Sequence, residues 1–281
     1  SSLNEAEWTI QYQETVEDDE SWLRGRNWFL ELQGRSNDQG DQLPSVLILE
    51  NRLQLRAGGE ILFSYYGESS GYYDLISRGN GLVKLPARNQ YYVEFTTQRL
   101  GRWQFELAGR SFQEGVDGSA RELGVEATYF ASDQLTVDGY LYGDQSNDWL
   151  VWQQDTLLGR FRSQSLNSQL NLNWFPAPKH EVRVKLQWLA INADDPRAVR
   201  IGADARLRPS NDVISDFNVN NFGLQLRYRW EFAPQSDLYV VYGRGGFVER
   251  ENEETDFGEL LDAAFSLRDA DQILVKLRRR F

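Results

Sequence analysis

Apolar and polar residues alternate along much of this chain, and the pattern is clearest between residues 219 and 246. The apolar positions of this segment are Phe222, Leu224, Leu226, Tyr228, Trp230 and Phe232. The positions between them are polar or small and include Arg227, Arg229 and Glu231. Because a β-strand sends alternate side chains to opposite faces, the segment predicts a strand with one apolar and one charged face. A short turn at 233–236 and a second apolar run at 238–242 complete a β-hairpin.

The same alternation recurs along the whole chain and predicts about thirteen strands, joined by connections of two lengths. Short turns are predicted near residues 58, 100, 132, 177 and 234, and long loops near residues 40, 78, 116, 148, 205 and 258. The two lengths alternate strictly. Outer-membrane barrels have short periplasmic turns and long extracellular loops, whereas a soluble sandwich has no reason to segregate loop lengths in this way.

The periodicity by itself fits two architectures. A soluble sandwich would turn its apolar face inward, and a barrel would turn the same face to lipid and its charged face to the lumen. Loop lengths and the aromatic residues at strand ends favour the barrel. We therefore predict an all-β fold, an antiparallel up-and-down transmembrane β-barrel of about 12–14 strands, over residues 1–281.

The strand count raises the question of completeness. Bacterial single-chain barrels have an even number of strands, whereas the pattern gives about thirteen. Either one further strand lies within 82–88 or 260–267, or the chain is the C-terminal portion of a larger barrel. The sequence has neither a leader segment nor an initiator methionine, so we expect a processed product or an excerpt of a longer chain.

Composition excludes several classes of function. The 281 residues carry a formal net charge of −12, with no cysteine, no methionine and one histidine. An acidic chain without a basic stripe is not expected to bind nucleic acid. No run approaches the ~18 consecutive apolar residues of a membrane helix. A cysteine–histidine zinc site cannot be built, no nucleotide-binding glycine loop occurs, and we expect no metal and no cofactor.

Charged residues on the polar rows of the strands are predicted to line the lumen. They are Arg52, Arg56, Glu106, Arg110, Arg183, Lys185, Arg227, Arg229, Glu231, Lys276 and Arg278. One interpretation is a pore selective for ions or sugars, because rings of charge set selectivity. The other is an interior filled by salt-bridged side chains. A dry interior needs every charge paired, and cations outnumber acids on these rows, which favours a water-filled lumen.

Three other features have weaker functional interpretations. Trp149 and Trp152, placed in an outer loop, are candidates for stacking against a sugar. The acidic stretch between Glu249 and Glu259 could bind a divalent cation, although solvated surface charge explains it as well. His180 falls in a proline-bounded turn and is interpreted as a solvated turn residue. Because no nucleophile–base pair stands out, we predict that the chain is not an enzyme and has no catalytic residue.

Three segments resemble a family of uncharacterised outer-membrane proteins: 175–188, 225–246 and 268–281. In that family the C-terminal barrel commonly follows a carbohydrate-binding-like family 9 module. The similarity is good over 145–281 and looser before. The terminal Phe281 also resembles the aromatic assembly signal of outer-membrane barrels. The resemblance implies a bacterial outer-membrane location, a periplasmic C-terminus, and lipid, lipopolysaccharide and the barrel assembly machinery as partners, but it transfers no functional residue.

Two hypotheses of function follow. The first is a pore or transport-related channel for small hydrophilic solutes such as saccharides. The alternative is a structural anchor in the outer membrane that displays or binds a glycan-binding module or a partner protein. Ion conductance in planar bilayers separates the two, because only the first requires an open lumen.

Overall fold

The computed structural model describes residues 3–37, 43–251 and 255–280. These residues form sixteen β-strands and one helix, α1 (Phe257–Ala264). In the first half of the chain lie β1 (Leu3–Thr15), β2 (Leu23–Asn37), β3 (Val46–Leu55), β4 (Glu60–Glu68), β5 (Gly71–Tyr73), β6 (Val83–Leu85), β7 (Arg88–Thr96) and β8 (Trp103–Glu114). In the second half lie β9 (Gly118–Ser132), β10 (Leu135–Gln154), β11 (Leu157–Ala177), β12 (His180–Ile201), β13 (Leu207–Pro209), β14 (Phe217–Ala233), β15 (Ser236–Glu251) and β16 (Ala270–Arg278).

The strands assemble into a 14-stranded antiparallel sheet. Its order is β1-β2-β3-β4-β7-β8-β9-β10-β11-β12-β14-β15-β16, so successive long strands are neighbours, and β13 pairs only with β12. The predicted all-β, antiparallel up-and-down arrangement is confirmed. In the described part of the chain, β1 and β16 each pair with a strand on one side only.

The apolar face of the sheet is exposed. Leu107, Leu123, Leu170, Trp174 and Leu226 lie on this face and each expose between 40% and 74% of their surface. A soluble sandwich would bury such a face against a second layer, because removing apolar surface from water drives folding. An exposed apolar face of this extent is typical of barrels that face lipid, and it favours the barrel over the sandwich.

Buried apolar side chains gather in two clusters near one end of the strands. In the first, Leu260 of α1 packs against Trp188 and Phe222. Asp256 caps this helix, since its side chain accepts a hydrogen bond from the backbone N–H of Glu259 at 2.9 Å. The second cluster comprises Val83, Leu85, Leu158 and Val199. Within the described ranges, no helix is long and apolar enough to cross a membrane.

Connection lengths differ between the two ends of the sheet. At one end, short turns join the strands, among them 56–59, 133–134, 178–179 and 234–235. At the other end lie the long connections between β4 and β7, between β12 and β14, and between β15 and β16. They carry β5, β6, β13 and α1. The predicted segregation of loop lengths therefore holds for the longest connections, and the clusters lie at the long-loop end.

Two of the predicted long loops are wrong. Residues 115–117 alone join β8 to β9, and residue 148 lies inside β10. Strands β10, β11 and β12 are 20, 21 and 22 residues long, and at the long-loop end of the sheet they extend beyond the shorter strands. At this end the strands are covered by connections and bury polar as well as apolar side chains, among them Ser146, Asp148 and Leu158, so the sequence loses the apolar alternation and has the composition of a loop.

Neither segment suggested for a further strand adds one to the large sheet. Within 82–88, β6 forms, but it pairs with β5 in a separate two-stranded sheet. The segment 260–267 falls largely in α1, where Leu260 and Ala264 are buried one helical turn apart. That spacing of four residues fits a helix face better than a strand face.

We expect Leu170→Arg to lower the free energy of unfolding in lipid vesicles by about 2–4 kcal/mol, because an arginine at mid-depth of the lipid-facing surface is poorly solvated. The matched control is Asn167→Arg on the same strand, whose side chain lies on the opposite face and is exposed. Urea titration followed by tryptophan fluorescence measures both variants. Equal costs for the two substitutions would contradict the assignment of the faces.

Candidate functional site

Cross-strand register places the predicted charged residues on one surface of the sheet. Residues paired directly across neighbouring strands point to the same face. Pairs such as Arg110–Glu122 and Arg183–Arg227 continue from strand to strand between β3 and β16. This surface, here called the charged face, carries Arg52, Glu106, Arg110, Arg183, Lys185, Arg227, Arg229, Glu231, Lys276 and Arg278. Their role in lining a lumen stays a prediction.

Arg56 is the exception. It follows the last residue of β3 and lies in the turn that leads to β4. Its guanidinium donates hydrogen bonds to the backbone oxygens of Ser21 at 2.9 Å and Asp18 at 2.7 Å, and it pairs with Asp19 at 3.1 Å. Arg56 therefore ties the β1–β2 connection to the β3–β4 turn at the short-turn end. Its placement in a strand row was wrong, because the strand ends one residue earlier than the alternation suggested.

The cations on β12, β14 and β16 form a basic patch, defined as Arg183, Lys185, Arg227, Arg229, Lys276 and Arg278. Two buried carboxylates lie beside it. Asp237 accepts from Arg229 at 2.9 Å, and Glu181 contacts both Arg229, at 3.8 Å, and Arg183. Among the described residues, the patch shows no other ion pair. It therefore contains more positive charge than its neighbours neutralise.

The strands β7 to β10 carry an acidic patch on the same face, defined as Glu94, Glu106, Glu126 and Asp138. Glu106 and Glu126 lie directly opposite each other on β8 and β9. The partners of the patch are neutral: Tyr92 donates to Glu94 at 2.6 Å, and Asn171 donates to Asp138 at 2.7 Å. Within the described ranges, none of the four carboxylates forms an ion pair. The acidic patch thus mirrors the basic patch in sign.

A neutral strip separates the two patches. It lies on β11 and consists of Asn167, Gln169, Asn171 and Asn173, whose cross-strand partners extend from β10 to β12. Farther away, β1 to β4 carry compensated charges, such as the Arg52–Glu60 and Arg35–Glu5 ion pairs. From the sequence alone, all these charges belong to one mixed row. Their separation by sign is a consequence of strand order.

We expect Glu126→Gln to raise the free energy of unfolding by about 0.2–1 kcal/mol, because like charges directly opposite each other in a sheet repel. Glu122→Gln is the matched control. It lies on the same strand and face but breaks the 2.8 Å ion pair with Arg110, so it should destabilise. Urea titration in mild detergent gives both values. Changes of the same sign would argue against an uncompensated acidic patch.

Trp149 and Trp152 do not lie in an outer loop as predicted but in the projecting part of β10. The ring of Trp149 lies 5.9 Å from that of Phe217, and it lines a cavity of about 250 Å³ together with Arg110. The guanidinium of Arg78 covers the ring of Trp152 at 4.8 Å. Stacking of a sugar on either ring stays a prediction, and on Trp152 the sugar would have to use the ring face that Arg78 leaves open.

A buried carboxylate that the sequence did not single out organises this projecting end. Asp148 is 1% exposed, and it accepts hydrogen bonds from the backbone N–H of Val116 at 2.7 Å and from the Nη2 of Arg160 at 2.8 Å. Arg160 also pairs with Asp117. These contacts fix the β8–β9 turn against β10 and β11. A lone aspartate in a polar run gives no sequence signal of this role.

The β12–β14 connection is held by an ion pair at the same end. Arg200 donates to Asp212 at 2.6 Å and 2.8 Å through two nitrogens, which is the bidentate geometry that arginine favours with carboxylates. The hydrogen bonds from Arg200, followed by that from Ser210, lower the pKa of Asp212 from its ordinary 3.8 to about 2. The pair thus stays charged at all but very acidic pH.

A carboxylate with a lowered pKa stabilises the folded state above its unfolded pKa and loses this effect as the pH falls through the folded value. We therefore expect the amides of 202–216 to lose hydrogen-exchange protection between about pH 4 and pH 2. Asp212→Asn should remove this pH dependence, and Asp216→Asn is the control. A protection profile that is unchanged in Asp212→Asn would show that the ion pair does not hold the connection.

The remaining sequence candidates are placed as follows. His180 begins β12 rather than lying free in the turn, and its Nδ1 is 2.7 Å from the Tyr228 hydroxyl, with its ring stacked on Trp230. In the acidic stretch, Asp256 serves as the helix cap, whereas Glu253 and Glu254 lie outside the described residues. Among those described, no three carboxylate or imidazole groups converge in a cation-binding arrangement. The predicted signal Phe281 also lies outside them.

Comparisons with known proteins agree with the fold. A family model described as a domain of unknown function matches residues 42–279. No curated protein matches the chain. Among solved structures, the chain is similar to the copper transporter OprC, with a TM-score of 0.55 and 14% sequence identity over 89% of this chain. The matched region spans 40% of the transporter's chain, so the similarity concerns the fold of part of that protein.

Proposed function

The chain belongs to the DUF5916 family, a domain of unknown function, and from its geometry we propose that it is an integral outer-membrane β-barrel with a polar, charged lumen. In this proposal it acts as a channel for small hydrophilic solutes, saccharides among them. The apolar face meets lipid and the charged face lines the water-filled passage. The long connections lie outside the cell, and the short turns and the end of β16 lie on the periplasmic side.

One observation carries this proposal: large apolar side chains are exposed on one face of the sheet, while the opposite face holds charges that are not neutralised. Unpaired charges in a closed, dry interior would each cost several kcal/mol. Water in the lumen removes that cost. A charged face next to water, together with an apolar face next to lipid, matches the arrangement of outer-membrane barrels.

The copper transporter OprC shares the fold of this chain, and this likeness is the link between the proposal and transport. Copper itself is not proposed as the solute, because the described residues contain one histidine and neither cysteine nor methionine. Histidine nitrogen and the soft sulfur atoms of cysteine and methionine are the ligands that copper prefers. The oxygen- and nitrogen-bearing side chains of the charged face suit hydrated, hydrophilic solutes better.

The first test is electrophoretic migration after extraction in mild detergent. A closed barrel resists unfolding in the detergent, so the unheated protein should migrate faster than the boiled protein and show a β-rich circular dichroism spectrum. A protein that is soluble without detergent and migrates identically in both states would contradict the lipid-facing assignment and return the sandwich to consideration.

Conductance in planar bilayers then tests the open lumen. We expect steady conductance with a solute-size limit, and we expect Glu106→Gln to lower the permeability ratio of cations to anions, because charged side chains on a pore wall set selectivity. Arg56→Gln serves as a control at the rim. Silent bilayers combined with tight binding of a glycan or a protein would favour a structural anchor instead.

A further inference from the structure

The basic patch carries more positive charge than the carboxylates beside it neutralise. We propose that it is a binding site for solutes that carry a phosphate or carboxylate group, with Arg183 and Arg227 at its centre and Lys185 and Lys276 beside them. The proposal rests on the proposed function, because it places the site on the wall of the passage. It adds a chemical class of solute to that passage.

Like charges lie side by side in the basic patch. Arg183 and Arg227 are directly paired across β12 and β14. Directly opposite residues have their Cβ atoms about 5 Å apart, and like charges at this distance destabilise a sheet. Lys276 joins them through the next strands, since it pairs with Tyr239, which in turn pairs with Arg229. Such an arrangement costs stability unless an anion completes it.

Three cations of the basic patch lack a compensating carboxylate. Glu181 contacts Arg183 and Arg229, and Asp237 contacts Arg229. Across the described ranges, Lys185, Arg227 and Lys276 have no carboxylate oxygen within ion-pair distance. The protein could have placed acids there, as it does beside Arg52 and Arg110. The charges of these three residues are therefore left available for a ligand.

The guanidinium of Arg227 contains a buried hydrogen-bond donor without an acceptor. The Nε of Arg227 is shielded from solvent, and no hydrogen-bond partner for it exists among the described residues. Leaving such a buried donor without a hydrogen bond costs on the order of 1–3 kcal/mol. An oxyanion that draws the guanidinium edge towards itself would accept from this Nε–H and from a neighbouring Nη–H together, the two-point geometry that arginine offers phosphate and carboxylate.

Two arginines of the basic patch are held in place by the residues around them. The ring of Tyr239 lies below two guanidinium groups, 5.5 Å from that of Arg227 and 5.9 Å from that of Arg229. Packing on one ring limits the motion of both guanidinium groups and keeps them side by side. Asp237 further fixes Arg229. Binding an oxyanion then costs less side-chain entropy than it would with free arginines.

The location of the patch gives it a role in selection. Its residues lie within 183–185, 227–229 and 276–278, near the short-turn end of β12, β14 and β16. The acidic patch lies on strands across the neutral strip. A solute with an anionic group and a polar, uncharged body could therefore contact the basic patch with one end and the amides of β11 with the other.

The test uses the purified full-length protein in mild detergent and does not require an open pore. A phosphorus NMR titration with inorganic phosphate at low salt should show saturable binding. Arg227→Gln and Arg183→Gln should each weaken binding by about tenfold or more, because each removes charge-assisted hydrogen bonds. Arg227→Lys should weaken phosphate binding less, because lysine keeps the positive charge and loses only the two-point hydrogen-bonding geometry of the guanidinium. Unheated gel migration verifies that each variant is folded.

Arg52→Gln is the matched control, because Arg52 lies on the same face and is already paired with Glu60. It should leave phosphate binding unchanged. Competition with succinate distinguishes the two classes of solute. Tighter binding of phosphate indicates phosphorylated solutes, and tighter binding of succinate indicates carboxylates. The proposal is overturned if binding does not saturate, or if Arg52→Gln weakens it as much as Arg227→Gln. Saturable binding by a protein that does not conduct would uphold the site while rejecting the channel.

Discussion

The hydrogen-bonded ladder between neighbouring strands is the constraint on which the rest of this structure depends. Where one face of a sheet meets lipid, the backbone has no water to bond, so every amide and carbonyl must find its partner on the next strand. The ladder fixes the register, and the register decides which side chains lie side by side. A slip by one residue in any strand would move its arginines to the apolar face and its leucines to the charged face.

Given that register, the order of strands produces a surface with three regions of different charge. Acids accumulate on β7 to β10, amides on β11, and cations on β12 to β16. Along the chain these charges are separated by turns and by alternating residues of the opposite face. Their sum across neighbouring strands creates a field directed along the sheet, which would act on any ionic solute passing over it. Neutralisation within β1 to β4 confines this field to one part of the surface.

The long-loop end is built on different principles from the rest of the sheet. Here the strands project into water and are held by a small core around Leu158 and Val83, by the buried Asp148, and by the Arg200–Asp212 pair. Helix α1 packs on the apolar face above Trp188 rather than on the charged face. The described connections therefore stiffen the rim while α1 leaves the charged face free, an arrangement consistent with a passage that opens outward.

The sequence by itself determined the class of fold. Alternation at every second position, as in 222–232, is a local property of the backbone, and so the strands, their two faces and most of the charged row could be predicted. It could not determine which charges become neighbours, because Arg183 and Arg227 meet only through strand pairing. The projecting part of β10 lacks alternation because connections from elsewhere in the chain cover it and bury polar residues such as Asp148, which is why Trp149 was assigned to a loop. The exposure of the apolar face, which separates barrel from sandwich, was likewise decided only by the tertiary structure, since both architectures obey the same periodicity.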